Sequence, residues 1–337
     1  MNKRELSLDL IKILACFLVI VNHAGSAMLR FEPSALTTIL YLAFFSFSKI
    51  AVPLFIMVTG ALLLNKQDSY RTVLIRVVKI LIPLLVISAW LYFITAKNPL
   101  SLDFFLSILS KPVMLPYWYL YMLIGLYLVS PFLGKMVRNF TPNDHRIFMV
   151  LTLIIPGILP ILSKWLDLTF YRAFFDAAIP SAIGYFCAGY YFNTVKADRK
   201  TKILLSVILV LSLTIMISSM SVAALQTGTI DYFLDNITLI TTVIPTLCVF
   251  ILIRSSKRIE TLSESTKNVI PQIAGLTFGI YLIHYFLIIR LNSVSILITL
   301  YHFSPVLGAL SVEVLVFVLG AGLIWILKKI PWINKVL

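Results

Sequence analysis

Three residues in the first apolar segment have side chains that can do acid–base chemistry. Asp9, Lys12 and His23 are the only acidic, basic or histidine residues between Leu8 and Leu29. On a helix, at ~100° per residue, Lys12 and His23 lie within ~20° of each other and Asp9 within ~60° of both. Along the helix axis the imidazole is ~16 Å from Lys12. Because ionisable groups inside a bilayer are costly, this stripe predicts a functional site facing the protein interior.

His23 is the member of the stripe best suited to proton transfer. A neutral imidazole accepts a proton near neutral pH, so His23 is the candidate general base towards a hydroxyl. The alternative is a histidine that only hydrogen-bonds a neighbouring helix at the membrane boundary. Asp9 and Lys12, three residues apart, either take part in the site or neutralise each other at the interface.

A second group of candidates is cationic. Arg76 and Lys79, preceded by Arg71, can hold a phosphate from adjacent helical turns. Anchoring to anionic lipid headgroups is the alternative, and it is the one that these residues alone favour. Lys49 lies deep in its segment, so we expect it to reach outward or to pair with a carboxylate on the same side. The candidate partners are Glu32, Asp103, Asp167, Asp231 and Asp235.

Composition places these residues in a membrane. The chain is 60% hydrophobic and 12% charged, with a mean hydropathy of +0.99, whereas about a quarter of a soluble domain is charged. The net charge of +14 comes from short basic runs between apolar segments, which favours membrane orientation over nucleic-acid binding. Cys16, Cys187 and Cys248 lack metal-type spacing and are expected to be small buried hydrophobes. The histidines are not paired either, so we expect no metal.

Ten segments reach the ~20 residues needed to span a bilayer, which predicts an all-α polytopic membrane protein. Prolines inside several of them, Pro53 among them, predict kinks. The N-terminus loosely resembles a signal peptide, but Asp9 and Lys12 interrupt its apolar core, so we expect a retained first helix. The predicted segments are 7–29, 39–64, 74–95, 117–134, 146–164, 176–193, 203–222, 234–254, 271–292 and 305–328.

The basic residues also predict the orientation. With the N-terminus inside, twenty of the 28 Lys and Arg residues fall on the inner side and seven on the outer side, while Lys12 lies within the first helix. This asymmetry predicts that both termini are cytoplasmic. The outer connection at about 96–116 and the inner loop 255–270 are the expected non-membrane parts, and the former is apolar enough to lie along the membrane.

Five stretches of the chain carry recognisable motifs. They are LDLIK…NH (Asp9, Lys12, His23), AVPLFIMVTG (Pro53, Phe55, Gly60), RVVKILIP (Arg76, Lys79, Pro83), KPVMLPYWYLYMLIGLYLVSPFL (Trp118, Tyr127, Pro131) and LTFGIYLIH (Thr277, Gly279, Tyr281, His284). Taken together, between residues 6 and 292, they resemble the membrane-bound acyltransferase-3 family in order and spacing. The similarity is greatest to its members that acetylate enterobacterial common antigen.

The resemblance implies that residues 1–337 form one integral-membrane acyltransferase domain in a bacterial cell (inner) membrane. It implies transfer of an acyl group, usually acetyl from acetyl-CoA, to a hydroxyl of an exported or lipid-linked glycan. Lys12 and His23 match the basic residue and histidine of the family's first helix, and Arg76 and Lys79 match its motif for the acyl-CoA side. The family commonly has Arg where this chain has Lys12, and Ser where it has Thr277. Bidentate phosphate binding at the first position would therefore be lost.

We expect acyl-CoA to enter from the cytoplasm along the Lys12–His23 stripe, and the acceptor to enter from the outer half. His23 then acts as general base or as a covalent acyl carrier. Asn22, Lys49, Trp118, Tyr281 and His284 are candidates for the substrate path. A transporter or flippase of a polar lipid or solute is the main alternative, although the two halves show no paired repeat of interrupted segments. A non-catalytic subunit of a polysaccharide-export machine is a third reading.

Overall fold

The computed structural model describes residues 5–96, 108, 111–167 and 181–335, and within these ranges it contains helices and no strands. Short 3-10 helices lie at Leu115–Tyr117, Tyr232–Asp235 and Lys257–Ile259, and a π-helical turn at Val150–Ile154. The α-helices are α1 (Leu6–Ala24), α2 (Ala27–Phe31), α3 (Ala35–Ser48), α4 (Ala51–Leu63), α5 (Tyr70–Ala96), α6 (Trp118–Arg138), α7 (Pro142–Met149), α8 (Ile155–Trp165), α9 (Ser181–Thr194), α10 (Arg199–Thr227), α11 (Ile240–Arg254), α12 (Glu264–Ala274), α13 (Thr277–Leu291), α14 (Ser295–Phe303), α15 (Pro305–Leu327) and α16 (Pro331–Asn334).

Helix length and hydropathy confirm a polytopic all-α membrane protein. Within the described ranges, eight helical stretches are long and apolar enough to cross a membrane, and a ninth is added if α12 and α13 form one bent span. The sixth predicted segment, 176–193, begins outside the described residues and continues as α9, which has 14 residues. Most of the outer connection 96–116 also lies outside them. The inner loop 255–270 contains a 3-10 helix and the start of α12.

Several predicted segments are divided into more than one helix. The first, 7–29, is interrupted at Gly25 and Ser26, between α1 and α2. The second is interrupted at Lys49 and Ile50, between α3 and α4. Pro53 explains this, because a proline has no N–H to donate to the carbonyl four residues earlier, which is that of Lys49. The ninth segment begins earlier than predicted and bends by 61° between α12 and α13. At this bend the carbonyl of Gly275 accepts a hydrogen bond from Lys328 Nζ, 3.0 Å away.

Helices α4 and α9 pack backbone against backbone through two glycines. A Cβ added at Gly60 would lie 1.8 Å from the carbonyl oxygen of Phe186, and one at Gly189 would lie 2.0 Å from that of Met57. Small residues allow such close approach between membrane helices, where apolar lipid provides little hydrophobic driving force. This contact fixes α4, whose other residues line the candidate site.

Helix α1 lies at the centre of the protein and contributes to both of its apolar clusters. Leu8, Ile11 and Ala15 belong to a cluster that also contains residues of α4, α6, α9 and α11. Ile20 and Ala24, further along, belong to a second cluster that contains residues of α3, α14 and α15. With its apolar residues held by neighbouring helices, α1 presents its polar residues to the internal space that remains.

Arg254 ties the start of α1 to the end of α11. It forms an ion pair with Glu5 at 2.7 Å, donates to Ser7 Oγ, and donates to the carbonyl of Asn193 at 2.7 Å. From the sequence, Arg254 is one of the twenty inner-side basic residues that predict the orientation. The structure adds a positioning role, because these contacts hold the end of the helix that carries Asp9 and Lys12.

Candidate functional site

The polar residues of α1 line two cavities, and one side chain, Tyr281, lines both. The first, which we call the Lys12 cavity, has a volume of about 310 Å³, and its lining includes Lys12, Phe55, Thr59, Tyr127, Phe278 and Tyr281. The second, the His23 cavity, has a volume of about 440 Å³, and its lining includes Asn22, His23, Lys49, Trp118, Asp235, Asn236 and Tyr281. Both volumes fall within the roughly 300–1,000 Å³ typical of small-molecule sites.

The polar stripe of α1 therefore reaches both cavities. Lys12 lines the first and His23 the second. Asp9 is buried, and its carboxylate lies 3.4 Å from Lys12 Nζ. The i, i+3 pair considered in the sequence is thus formed, yet the lysine remains part of a cavity wall.

His23 is surrounded by aromatic rings from α13. Its ring centroid lies 5.4 Å from that of His284 and 5.6 Å from that of Tyr285, which it meets edge to face. Tyr285 was not among the candidates from the sequence, although it directly follows His284. The two histidines, which are distant in sequence, therefore form a neighbouring pair at one end of the His23 cavity.

The buried His284 has a defined tautomer when neutral. Its Nδ1 lies 2.5 Å from the carbonyl oxygen of Tyr281. A carbonyl oxygen only accepts, so Nδ1 carries the proton and donates it. Nε2 then has a free lone pair, and among the described residues it has no hydrogen-bond partner. His284 can therefore accept a hydrogen bond or a proton from its neighbour.

Tyr281 is held firmly at the boundary between the cavities. Its hydroxyl donates to the carbonyl of Pro116, and the neighbouring Tyr117 donates to the carbonyl of Leu282 at 2.7 Å. The Tyr119 ring meets that of Tyr281 edge to face, with centroids 5.6 Å apart. These contacts join the start of α6 to α13.

Lys49 pairs with a carboxylate, which was one of the two arrangements expected for it. Its Nζ lies 2.8 Å from Asp235 Oδ2 and 3.7 Å from the centre of the Phe45 ring. Of the five candidate carboxylates, Asp103 lies outside the described residues. Because both partners line the His23 cavity, Asp235 joins the site residues. The helix interruption after Ser48 places Lys49 here.

Neutral polar groups complete the wall of the His23 cavity. Asn22 Oδ1 accepts a hydrogen bond from Ser48 Oγ at 3.2 Å, which orients the Asn22 amide. Trp118 is partly exposed in the same wall, and Asn236 follows Asp235 there. Asn236 was not among the predicted site residues, and the sequence around it carries no signal that would distinguish it.

The basic residues of α5 do not all point the same way. Arg76 is half-buried, with Nη1 2.5 Å from Asp68 Oδ2, and it interacts electrostatically with Tyr127 of the Lys12 cavity. Lys79 and Arg71 are exposed. Arg76 is thus the member of the cluster nearest the cavity, while the other two are free to reach a larger group outside it.

The fold and site together define the class. This is a multi-pass helical membrane protein in which one tyrosine, Tyr281, lines two cavities, and a histidine of the second cavity, His23, lies beside the buried His284. The sequence matches the family model described as an acyltransferase domain, acyltransferase-3, over residues 5–329. The chain belongs to that family and is a membrane acyltransferase. No curated protein and no solved structure matches it.

Proposed function

We propose that the protein moves an acyl group, with acetyl as the default, from acyl-CoA to a hydroxyl of a cell-envelope or lipid-linked glycan. Enterobacterial common antigen is the kind of acceptor to which the sequence resemblance points. One observation carries the proposal: Tyr281 lines both cavities, so two substrates in separate cavities can meet at one side chain, beside His23. The start of α1 is then the cytoplasmic end.

The Lys12 cavity suits the arm of a coenzyme A thioester. Phe55, Leu63 and Phe278 give it an apolar wall, and Thr59 and Tyr127 add hydroxyl groups. Small-molecule sites commonly combine an apolar lining with a few polar groups in this way. Lys12 adds a cation, which attracts the phosphates of the donor.

Arg76 would provide the second cation: it does not itself line the cavity, but its charge acts on Tyr127, which does. Binding a phosphate there means exchanging the Asp68 carboxylate for the phosphate oxygens. A guanidinium can donate two hydrogen bonds to either a carboxylate or a phosphate. Exposed Lys79 and Arg71 extend the positive surface along α5.

The chemical step uses the histidine pair. His23 takes the proton from the acceptor hydroxyl while the oxygen of that hydroxyl forms a bond to the acyl carbon. The carbon–sulfur bond breaks, and the proton held by His23 balances the departing thiolate as a thiol. His284 Nε2 has no hydrogen-bond partner among the described residues, so during this step it is available to accept a hydrogen bond from one ring nitrogen of His23, which would leave the other nitrogen to face the hydroxyl. A base oriented by a third group is a recurring arrangement in acyl transfer.

The test is His23→Ala in the full chain, reconstituted in vesicles with radioactive acetyl-CoA and an envelope glycan extract. General acid–base catalysis contributes about 10²–10⁴-fold, so the transfer rate should fall by that factor while acetyl-CoA binding is kept. His145→Ala is the matched control, because His145 is a buried histidine that stacks on Tyr191 with centroids 4.8 Å apart, outside both cavity linings. Transfer near the wild-type rate in His23→Ala would exclude the general-base role.

Rapid quenching separates the two uses of His23. If His23 acts as a general base, the protein carries no radioactive acetyl group at any time. A covalent acyl-histidine would appear as radioactivity on the protein that is lost when acceptor is added. Only the first result agrees with the mechanism proposed.

A further inference from the structure

The lining of the His23 cavity has a balanced charge. Lys49 and Asp235 are its only Lys, Arg, Asp or Glu residues in the described part of the chain, and they are paired at 2.8 Å. The side chains of both are mostly buried, at 16% and 15% exposure. The other polar groups there, among them those of Asn22, Ser48 and Asn236, are neutral. A ligand in this cavity therefore meets both a carboxylate and an ammonium, with no net formal charge from this pair.

We infer that the Lys49–Asp235 pair recognises a neutral sugar unit of the acceptor by binding two adjacent hydroxyl groups. This inference rests on the proposed function, since it assigns the His23 cavity to the acceptor. Asp235 accepts from one hydroxyl, and Lys49 donates to the oxygen of the other. The sugar is thereby oriented with a further hydroxyl towards His23. Both residues are positioning residues, because neither forms nor breaks a bond.

The donor and acceptor types explain why the sugar is neutral. An ionised carboxylate only accepts hydrogen bonds and an ammonium only donates them. A pair of adjacent hydroxyls offers one donor and one acceptor, which satisfies Asp235 and Lys49 together. An acidic sugar brings a second carboxylate beside Asp235. Leaving like charges together without a free cation in a poorly solvated cavity is unfavourable.

Trp118 adds the second part of the recognition. Its indole lines the same cavity and is 39% exposed, so a face of the ring system is open to a ligand. Aromatic side chains bury a large apolar area and tolerate polar neighbours. The C–H face of a sugar ring can stack on this surface while its hydroxyls reach the ion pair.

Binding of simple glycosides tests the inference without requiring transfer. The full chain in nanodiscs is titrated with methyl hexosides of gluco, galacto, manno and N-acetylgluco configuration, each compared with its matching uronic acid by saturation-transfer NMR. We expect at least one neutral glycoside to bind about tenfold more tightly than its acidic counterpart, since hydrogen bonds to charged groups are among the stronger ones in proteins. If no neutral glycoside binds more tightly than its acidic partner, the inference is wrong.

Asp235→Asn tests the role of the pair. It should weaken binding of the preferred neutral glycoside about tenfold, and it should favour the acidic partner because Lys49 is then uncompensated. Asp231→Asn is the matched control. Asp231 also pairs with a lysine, Lys164, and hydrogen bonds from Lys164 and from the Phe233 N–H hold its pKa below the usual range. It does not line the cavity, so both affinities should stay unchanged.

A double variant, Lys49→Gln/Asp235→Asn, guards against misfolding, because it removes both charges and leaves no unpaired ion. It should lose affinity for the neutral glycoside without gaining preference for the acidic one. An unchanged affinity in both variants would overturn the inference.

Transfer assays separate this inference from the proposed function. Binding of the neutral glycoside without acetyl transfer to it or to any envelope glycan would reject the function and support the recognition site. Equal transfer to neutral and acidic glycosides would support the function and reject the recognition site.

Discussion

The two cavities along α1 differ in where the partner of their lysine lies. In the Lys12 cavity the lysine is the only charged residue of the lining within the described ranges, and Asp9 lies behind it. In the His23 cavity Asp235 is itself part of the lining. The neutral polar groups of the first lining are hydroxyls of threonine and tyrosine, whereas the second lining also contains two amides, Asn22 and Asn236.

Under the proposed function, this difference would separate the two substrates by charge. A cavity whose one lining ion is a cation suits an anionic molecule such as a nucleotide thioester. A cavity with a balanced ion pair suits a neutral molecule rich in hydroxyl groups. One helix carries a key residue of each cavity, so the rigid spacing of Lys12 and His23 on α1 would set the distance between the proposed substrates.

Removing the side chain at the boundary should have the largest effect on this separation. Tyr281→Ala joins the two cavities and admits water to the acyl carbon. We expect glycan acylation to fall roughly 100-fold, since small misplacements of reacting groups have effects of this size. Hydrolysis of acetyl-CoA should rise, as measured by thiol release without acceptor.

Conservative variants define what that tyrosine does. Tyr281→Phe keeps the ring and loses only the hydrogen bond to Pro116, so acylation should fall by less than about tenfold. Tyr121→Phe is the matched control, because Tyr121 also donates to a carbonyl, that of Ile108 at 2.6 Å, but lines neither cavity. If Tyr281→Ala acylates glycan at the wild-type rate, the cavities are not separate substrate sites.

A smaller effect is expected at the donor side alone. Lys12→Met should raise the KM for acetyl-CoA about tenfold through the loss of one charged contact, and leave glycoside binding unchanged. Lys12→Arg should keep donor binding, because a guanidinium binds phosphate at least as well.

Lys267→Met provides the control for Lys12. Lys267 forms the same i, i+3 pair, with Glu264 at 2.8 Å, outside both cavity linings. The KM of the Lys267→Met variant for acetyl-CoA should stay within twofold of the wild-type value. A change in glycoside affinity in Lys12→Met would show that the two cavities are not independent.

Features that depend on local sequence were predicted from the sequence. The side of α1 shared by Lys12 and His23 follows from helical periodicity. The interruption beside Lys49 also has a local signal, which is Pro53. From that signal the predicted structure of segment 39–64 was a continuous helix with a kink.

Features that depend on the packing of distant helices were not predicted from the sequence. Several carboxylates were compatible with Lys49, and only the fold brings Asp235 to it. The shared role of Tyr281 depends on the contact between α13 and the start of α6. No periodicity within either segment determines how those two segments meet.

A buried carboxyl outside both cavities gives the smallest predicted effect. Glu313 of α15 is fully buried beside Val312 and Val316, and among the described residues both its oxygens lack a hydrogen-bond partner, as does the Tyr301 hydroxyl. A polar group buried without a partner costs about 1–3 kcal/mol, so Glu313→Met should raise the thermal midpoint by several degrees. Since Glu313 lines neither cavity, acylation should stay within twofold of wild type.

The control is Glu32→Gln. Glu32 is a glutamate outside both cavity linings whose Oε2 lies 3.5 Å from His302 Nδ1, so this variant should change neither the thermal midpoint nor the acylation rate. A well-folded Glu313→Met protein without transfer activity would show that chemistry extends beyond the two cavities.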